Sequence, residues 1–492
     1  MSNHSIIELF FNPKSVAVIG ASKNPMKGGN RIVLNLVSNN FKGKIFPVNP
    51  NAEGKIYGLS FEKTIMDIED DIDLAIFYVP NRVIPDLIRD CIQKGIRGAI
   101  IEASGFEEVG DEGLKLRDKI QGITDNFTKI RIVGPNCMGI TKIEGDSDSE
   151  SENKGGFFSS FVPFFEYKRG NIAIITQSGM LNGGYFAHLL DNFPEMGFRY
   201  SCSIGNKMDL GEVEFLEYLI YDPTVNVIAI YLESFKNPRK FIDLCKKTKN
   251  MPNKTIILIK GGSTEEGQKA TLSHTGALAE NEEIIKGIIK QAGVIQANNF
   301  YELFQYTRTF SMIYTTQKNL PKHGYVSMVT GSGGAGTISA DLVKKYGLSF
   351  PNFSDSSYHI LKEIFPKWMP PNRFSLIDIW PAMEKAMNNR INPREMMQRV
   401  YKLILDDPQI EGIFLMEFCM NNDGRQSRFK HIIKFFENTS KPIFFWLIGQ
   451  ATEIQRVSQY LAENDIPNFP NLEDMIKNFK ILVQESKSKN YN

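Results

Sequence analysis

Cysteine and net charge are both scarce in this chain, and each shortage excludes a class of protein. The five cysteines among 492 residues show no CxxC spacing. An odd, unpatterned set argues against a disulfide framework or a zinc site, and it predicts reduced thiols and no metal centre. Lysine and arginine number 57 against 56 acidic residues, so no excess of one charge exists to attract nucleic acid or an anionic membrane.

Long apolar runs are missing as well. No window reaches the roughly 18 apolar residues that a membrane-spanning helix needs. The N-terminal stretch MSNHSIIELFFNPKS lacks the basic region and the apolar run of a signal peptide. We therefore expect a cytoplasmic protein, and its length predicts three domains at roughly 100–200 residues each.

Short apolar runs alternate with amphipathic stretches in the first third of the chain. The runs SVAVIG, KIFPVNP, DLAIFYVP, GAIIEAS and RIVGPN are typical of buried parallel strands. Their spacing predicts a doubly wound, Rossmann-like α/β domain over residues 1–145. The acidic stretch GDSDSESENKGG follows, and its composition predicts a solvated linker or loop, which we place at residues 146–168.

Two further series of strands and helices follow, and their openings are alike. One begins at NIAIITQSGMLNGG and the other at GYVSMVTGSGGAGT, so each has an apolar strand, then Thr-x-Ser-Gly, then a helix. The similarity favours an internal duplication of one flavodoxin-like unit, with domains at residues 169–316 and 320–485. Chance or convergence is the alternative.

The loop after the first strand predicts a nucleotide site. Gly20, Ala21 and Ser22 are small enough to let the backbone approach a phosphate before the next helix begins. The dinucleotide pattern G-x-G-x-x-G is absent, and the second strand ends at Asn49 and Pro50 without the carboxylate that an NAD site needs. The loop therefore favours an adenine nucleotide other than NAD, and a tight turn without a ligand is the alternative.

Three later strand ends fall where a parallel sheet gathers its ligand-binding loops. They contain Val79 and Pro80, then Glu102, and then Asn136 beside Cys137. With these segments the chain resembles the alpha subunit of succinyl-CoA synthetase and the NDP-forming acyl-CoA synthetases, which include ADP-forming acetate–CoA ligase. The resemblance implies a Rossmann-like CoA-binding domain followed by two flavodoxin-like ligase domains.

The resemblance also implies which residues line the CoA site. They are Gly20, Ala21, Ser22, Asn49, Pro50, Val79, Pro80, Glu102 and Asn136. Cys137 would lie near the CoA thiol, although a small buried cysteine without a chemical role is the favoured interpretation of that residue. The aromatic run that includes Phe157 and Phe161 could line a bulky acyl pocket, but a packing segment is favoured there.

His274 is the histidine that the resemblance singles out. From composition alone, a structural histidine would be favoured, but SHTGALA after a glycine-rich stretch is similar to the phosphohistidine segment of this family. An imidazole can accept a phosphoryl group and pass it on, so that one transfer becomes two at separate sites. The resemblance matches Glu233 to the carboxylate that holds the ring in one tautomer, and a solvated carboxylate is the alternative.

Two helix starts are candidates for neutralising the charge of the phosphohistidine. Backbone N–H groups at a helix N-terminus bind phosphate with fixed geometry. The resemblance implies that both openings of the duplicated unit serve in this way, and plain strand-to-helix turns are the alternative. The residues are Gln177, Ser178 and Gly179 in one opening and Ser332, Gly333, Gly334, Ala335 and Gly336 in the other. The loop at residues 203–209 also resembles a family segment near this site.

The chain departs from the family pattern in three places. It shows no ATP-grasp domain, so we expect an ATP-grasp beta subunit on a separate chain, in a heterotetramer, to supply ATP/ADP or GTP/GDP and Mg²⁺. The acidic insert at residues 146–152 is unusual. The third domain retains Asp378 but lacks the Asn-Pro pair that relatives often carry before it.

These features predict an acid–CoA ligase that interconverts carboxylic acid, CoA and NTP with acyl-CoA, NDP and phosphate. A non-catalytic CoA-binding regulator or scaffold of the same fold is the alternative, and the presence of His274 disfavours it. The missing acidic residue after the second strand argues against an NAD-dependent dehydrogenase. A protein acetyltransferase on this scaffold would need an additional domain, for which the chain has no room.

Overall fold

The structure is a computed structural model, and it describes residues 3–145, 155–162, 167–182, 193, 195–275, 281–420 and 425–490. In residues 3–4, 272–275, 425–428 and 490 it describes the backbone alone. The chain divides into two compact units, Met1–Thr307 and Arg308–Asn492. The predicted insert at residues 146–152 lies outside the described residues.

A five-stranded parallel sheet forms the first half of the first unit. Its strands lie in the order β2-β1-β5-β6-β7, and β3 pairs with β4 in a separate hairpin. The strands are β1 (Ser15–Ile19), β2 (Lys44–Val48), β3 (Lys55–Ile56), β4 (Leu59–Ser60), β5 (Leu74–Phe77), β6 (Gly98–Ile101) and β7 (Arg131–Val133). The five predicted strands are therefore confirmed. The helices are α1 (Asn3–Phe11), α2 (Gly28–Ser38), α3 (Ile84–Lys94) and α4 (Asp111–Ile123).

These strands are buried along their length, and this explains why their sequences are unbroken apolar runs. All residues of β1, β5 and β6 are buried, because helices cover both faces of a doubly wound parallel sheet. Helix α3 has Pro85 in its first turn, where a missing N–H costs nothing, and Gly95 follows its last residue with φ 85°. These signals confirm the α/β class.

A seven-stranded sheet forms the second half of the first unit. Its order is β14-β13-β12-β10-β11-β8-β9, and β8 and β9 are antiparallel to their neighbours. The strands are β8 (Ile140–Ile143), β9 (Gly156–Phe158), β10 (Arg169–Thr176), β11 (Phe198–Ser203), β12 (Val227–Leu232), β13 (Thr255–Lys260) and β14 (Ile295–Gln296). The helices are α5 (Glu212–Tyr221), α6 (Pro238–Lys249), α7 (Glu265–Thr275), α8 (Glu282–Ala292) and α9 (Phe300–Thr315).

Strands β8 and β9 differ from the predicted organisation. Strand β8 lies before the predicted boundary at residue 145 and β9 lies within the predicted linker, yet both extend the second sheet. The buried ring of Phe158 explains the difference, because the segment after the acidic stretch contributes to a core. Helix α9 contains the division between the two units, which falls between Thr307 and Arg308.

The second unit contains a third parallel sheet, in the order β16-β15-β17-β18-β19. Its strands are β15 (Val326–Thr330), β16 (Leu376–Asp378), β17 (Gly412–Cys419), β18 (Ile443–Gly449) and β19 (Asn468–Phe469). Its helices are α10 (Gly333–Lys345), α11 (Asp355–Ile364), α12 (Trp380–Asn388), α13 (Pro393–Asp406), α14 (Arg425–Phe436), α15 (Ala451–Ala462) and α16 (Leu472–Asn490). Counted along the chain, this order is 2-1-3-4-5, and the parallel strands of the second sheet follow the same flavodoxin-like order.

The five cysteines are all reduced and buried. Across the described parts of the chain, no helix combines the length and the apolar character that a bilayer crossing requires.

Candidate active site

A cavity of about 1280 Å³ opens at the carboxyl ends of the first sheet. Eight of the nine residues predicted for the CoA site line it, namely Gly20, Ser22, Asn49, Pro50, Val79, Pro80, Glu102 and Asn136. Ala21 is fully buried beside it, and its carbonyl oxygen accepts a hydrogen bond from Asn49 Nδ2 at 2.7 Å. The fold therefore brings these separate strand ends together, as the parallel order requires.

Gly20 lets two strand ends approach each other closely. Its φ is +95°, and a Cβ there would lie 2.2 Å from the carbonyl oxygen of Tyr78. A Cβ on Gly29 would similarly lie 2.1 Å from the carbonyl oxygen of Gly20. Helix α2 begins at Gly28 and not directly after Ser22, so a short loop separates the predicted phosphate loop from the helix start.

Two lysines that line the cavity were not predicted from the sequence. Lys27 precedes helix α2, and Lys63 lies after the β3–β4 hairpin. Lys63 Nζ donates hydrogen bonds to the carbonyl oxygens of Pro50 at 3.3 Å and Ala52 at 3.0 Å. Both lysines occur in ordinary surface loops, and only the folded sheet shows that they face one cavity that phosphate groups could enter.

Glu102 follows the last residue of β6 and is buried in the wall of the same cavity. It is 5% exposed, and within the described residues no donor meets full hydrogen-bond geometry at either carboxyl oxygen, although the backbone N–H of Phe161 lies close to the group. Burial raises the pKa of this carboxyl well above its ordinary value, and the backbone of Phe161 lowers it by a smaller amount.

Cys137 lies beside the Glu102 segment. Its Sγ donates to the carbonyl oxygen of Ile101 at 3.3 Å, and the backbone N–H of Asn136 donates to the carbonyl oxygen of Ala103 at 2.9 Å. Burial raises the pKa of the Cys137 thiol, and the charge of Glu102 raises it further. A thiol with a raised pKa is a poor nucleophile at neutral pH, which agrees with the favoured interpretation of this cysteine.

The opening of the first flavodoxin-like unit reaches the same cavity. Gln177, Ser178 and Gly179 all line it, and a helical turn begins at Gly179. Gln177 Oε1 accepts from the backbone N–H groups of Glu233 at 2.9 Å and Ser234 at 3.2 Å. One cavity therefore extends from the predicted CoA loops to the first predicted phosphate-binding helix start.

Glu233 follows the last residue of β12 and is held at several atoms. The hydroxyl of Tyr231 donates to Oε1 at 3.1 Å, while Oε2 is buried and unpartnered among the residues that the structure describes. Lys260 Nζ donates to the carbonyl oxygen of Glu233 at 2.7 Å. Burial and the neighbouring carboxylate both raise the pKa of Tyr231. The position of the carboxylate is thus fixed, and one oxygen is available to a further donor.

His274 lies in the last turn of α7, and its side chain is outside the described residues. The pairing of its ring with Glu233 therefore stays a prediction.

Two buried lysines lie near Glu233, and of these the sequence singled out only the loop that contains Lys207. Lys207 Nζ donates to the carbonyl oxygen of Ser234 at 2.6 Å and forms an ion pair with buried Glu212 at 3.2 Å. Lys260 is the second lysine, and its Nζ donates to the carbonyl oxygen of Glu233. Lys207 belongs to the predicted loop at residues 203–209, in which Asn206 also lines the cavity and contacts Asn136 at 3.3 Å. No periodicity marks such lysines, because tertiary contacts alone bury them.

The second predicted helix start lies in the other unit. Ser332 caps α10, with its Oγ accepting from the backbone N–H of Ala335 at 3.3 Å. Gly333, Gly334 and Gly336 occupy the first turn of that helix. Asp378 ends β16 beside it and accepts from the backbone N–H of Trp380 at 3.2 Å.

Comparison with known proteins supports the relationship that the motifs indicated. A model of the CoA binding domain matches residues 14–142, and a model of the succinyl-CoA ligase like flavodoxin domain matches residues 169–310. The alpha subunit of ADP-forming acetate–CoA ligase II of Pyrococcus furiosus is 30% identical over 492 residues, which cover 98% of each chain. The chain belongs to the family of NDP-forming acyl-CoA synthetases.

Two other proteins are similar over most of the chain. ADP-forming acetate–CoA ligase II of Archaeoglobus fulgidus is 34% identical over 462 residues, which cover 94% of this chain and 64% of that protein. This chain thus spans less than two thirds of that relative's length. The structure of acetyl-coenzyme A synthetase 1 of Ca. Korarchaeum cryptofilum in complex with phosphate and ADP has a TM-score of 0.83 at 28% identity, and 99% of this chain and 98% of that chain are covered.

The aromatic run divides between packing and cavity. Phe157 and Phe158 are buried in β9, whereas Phe161 lines the cavity and lies with its ring centroid 5.4 Å from that of Tyr78. Phe164 and Phe165 lie outside the described residues. Within the described parts of the chain, no group of three or more His, Cys, Asp or Glu side chains could hold a metal ion.

Proposed function

We propose that this chain is the alpha subunit of an acid–CoA ligase that interconverts carboxylic acid, CoA and NTP with acyl-CoA, NDP and phosphate. The observation that carries the proposal is the single cavity that joins the CoA-type strand ends to Gln177, Ser178 and Gly179. A ligand held along the first sheet would present its far end to a helix start suited to phosphate. The family relationship to ADP-forming acetate–CoA ligases supports the same reaction.

The cavity fits CoA as a substrate. Its volume of about 1280 Å³ accommodates a long ligand, and Gly20 and Ser22 of the predicted phosphate loop line it. Lys27 and Lys63 supply positive charge to its lining. Asn49 and Asn136 offer neutral hydrogen-bonding groups in the same lining.

In the proposed mechanism His274 carries the phosphoryl group between the nucleotide and the acid. The ring nitrogen attacks the phosphoryl donor, and the phosphoryl group then passes to the carboxylic acid, or the reverse. Glu233 would accept a hydrogen bond from the other ring nitrogen through its open Oε2. The helix starts at Gly179 and at Gly333 would neutralise the phosphoryl charge.

The nucleotide site belongs, in this proposal, to an ATP-grasp beta subunit on a separate chain. That subunit would bind ATP/ADP or GTP/GDP with Mg²⁺, and two copies of each chain would form a cytoplasmic heterotetramer. The similarity to a protein named as an alpha subunit over 98% of both chains supports a split enzyme.

The first experiment is phosphorylation of the purified chain by radiolabelled ATP, with and without the candidate ATP-grasp chain. We expect a label that is stable in base and labile in acid, that requires the partner and that disappears in His274→Ala. The matched control is His359→Ala on the exposed surface of α11, which should retain the label. CoA binding without any label would contradict the ligase and favour the non-catalytic CoA-binding protein.

A further inference from the structure

We propose that the chain has a second anion-binding site, separate from the candidate active site, that binds a small anion of the phosphate class. The site is a cavity of about 620 Å³ in the first unit, which we call the basic pocket. Its charged lining residues are Lys14, Lys42, Glu144, Arg169 and Arg199. None of the residues predicted for the CoA site or for the two helix starts lines it.

The basic pocket lies at the opposite end of the strands from the CoA cavity. Lys14 directly precedes β1, Gly43 directly precedes β2 and Arg169 begins β10, so the pocket opens at the amino ends of these strands. The CoA cavity opens at the carboxyl ends, and no described residue lines both cavities. Five residues of a strand span roughly 16 Å, so a small anion in the basic pocket would not reach the helix start at Gly179.

Positive charge is in excess in the basic pocket. Four side chains of its lining are cationic and one is anionic. The anionic one, Glu144, is already paired, because its Oε1 lies 2.8 Å from Nζ of Lys142. Among the residues that the structure describes, Lys14 and Lys42 form no ion pair with a carboxylate. An added anion would therefore find two lysines whose charge no described carboxylate neutralises.

The titration of Glu144 shows the same excess of positive charge. Burial raises the pKa of Glu144, whereas the hydrogen bond and the charge of Lys142 lower it. The charges of Arg199 and Arg169 lower it as well, and the resulting pKa is below its ordinary value. Surroundings that stabilise a carboxylate against protonation also stabilise the charge of a bound anion.

Arg199 gives the pocket a partly buried guanidinium group. It lies in β11, whose other residues are all buried. Its Nη1 donates to the carbonyl oxygen of Ile143, while its Nε is buried and has no hydrogen-bond partner within the described residues. A buried donor without a partner costs free energy, and a guanidinium group binds phosphate oxygens through parallel N–H···O bonds. Phe11 and Phe157 also line the pocket, and such apolar walls reduce the screening of charge by water.

These features fit an anion that carries two or more negative charges on several oxygen atoms. Arginine matches the geometry of a phosphate group, and lysine adds a point charge. Inorganic phosphate or diphosphate and the phosphate groups of a nucleotide share this chemistry, so the test compares both sources.

The test is calorimetric titration of the purified full-length chain with inorganic diphosphate, in the presence of saturating CoA to fill the other cavity. We expect saturable binding that weakens as the NaCl concentration rises. Replacing both lysines, Lys14→Ala together with Lys42→Ala, should weaken binding by about 10-fold or more, because each removes a charge-assisted contact. Both side chains are exposed, so the double variant should fold.

The matched control removes the same charge elsewhere. Lys115→Ala together with Lys119→Ala, on the exposed surface of α4, should bind diphosphate as the wild type does. CoA affinity should be unchanged in both double variants, since neither alters the CoA cavity. ADP that binds no more tightly than diphosphate would assign the site to an inorganic anion, and tighter ADP binding would assign it to a nucleotide phosphate.

Three results would overturn the proposal. One is the absence of saturable diphosphate binding at low salt, and another is an equal loss in the two double variants, which would mean that net charge alone attracts the anion. The third is binding that occurs only after the acidic residues at 146–152 are changed to amides, because the chain itself would then supply the counter-charge. The outcome does not depend on whether His274 is labelled.

Discussion

The two flavodoxin-like openings share a scaffold but differ in the chemistry that it carries. Thr176 and Thr330 each end a first strand, and each hydroxyl donates at 3.1 Å to the carbonyl oxygen of the serine two residues later. Each threonine carbonyl oxygen accepts at 2.8 Å from a backbone N–H after the second strand, that of Ile204 or Ile379. This agreement in hydrogen bonds supports an internal duplication.

The side chains at equivalent positions are different. Gln177 in the first opening corresponds to Gly331 in the second. Strand register equates Tyr231 with Met416, so Glu233 corresponds to Phe418. Glu233 is 8% exposed and Phe418 is 42% exposed. The scaffold therefore supplies a helix start twice, but at these two equivalent positions the first copy has a fixed carboxylate and a glutamine that holds its backbone, where the second copy has phenylalanine and glycine.

The largest expected effect follows from removing the charge of Glu233, since the equivalent position of the second opening has no carboxylate. Glu233→Gln should lower the rate of phosphohistidine labelling by about 10–100-fold, by analogy with carboxylates that orient metal-bound imidazoles. Phe418→Leu at the equivalent position should leave the rate unchanged. Single-turnover labelling with the partner chain measures both. Equal losses in the two variants would mean that the carboxylate has no special role.

The second effect compares two glycines at strand ends, one that its loop requires and one that it does not. Gly20→Ala should cost about 1–3 kcal/mol in the free energy of unfolding and should weaken CoA binding, because its φ is +95° and the new Cβ would meet Tyr78. Gly331→Ala should change stability by less than about 0.5 kcal/mol, since its nearest neighbour is 3.4 Å away. Chemical denaturation and calorimetry with CoA are the measurements. An unchanged free energy of unfolding in Gly20→Ala would contradict the close approach of Gly20 to Tyr78.

The strands and the loops after them could be predicted from the sequence, because a buried parallel sheet imposes continuous apolar runs that end in small residues. Eight of the nine predicted CoA residues line one cavity for this reason. Strands β8 and β9 could not be predicted, since ITKI and GFF are short and pair antiparallel with each other and with a distant strand. Tertiary contacts alone bury Lys207, Lys260 and Glu102, and such contacts leave no periodic pattern in the sequence.

A third, smaller effect concerns the serine cap that both openings share. Ser178→Ala and Ser332→Ala should each destabilise their own helix start by about 1 kcal/mol, because each hydroxyl accepts from a backbone N–H in the first turn. Hydrogen exchange read peptide by peptide assigns each loss to its own unit. Protection lost in only one unit would show that the two caps are not equivalent.

The smallest effect compares how two carboxyl groups respond to pH. Burial raises the pKa of Glu102 above its unfolded value of about 4.3, so its neutral form is favoured in the fold. The associated stability is present below that value and is lost as pH rises through the folded pKa.

Glu411 in the second unit behaves in the opposite way. Burial raises its pKa, but hydrogen bonds from the His323 ring and from backbone N–H groups outweigh burial and lower it. Its stability contribution is present above about pH 4.3 and is lost as pH falls through the lowered pKa. In stability–pH profiles, Glu102→Gln should remove the decline of the first unit at rising pH, and Glu411→Gln should reduce the decline of the second unit in acid. A decline at rising pH that persists unchanged in Glu102→Gln would mean that another group causes it, and that the raised pKa of Glu102 does not set the pH dependence of the first unit.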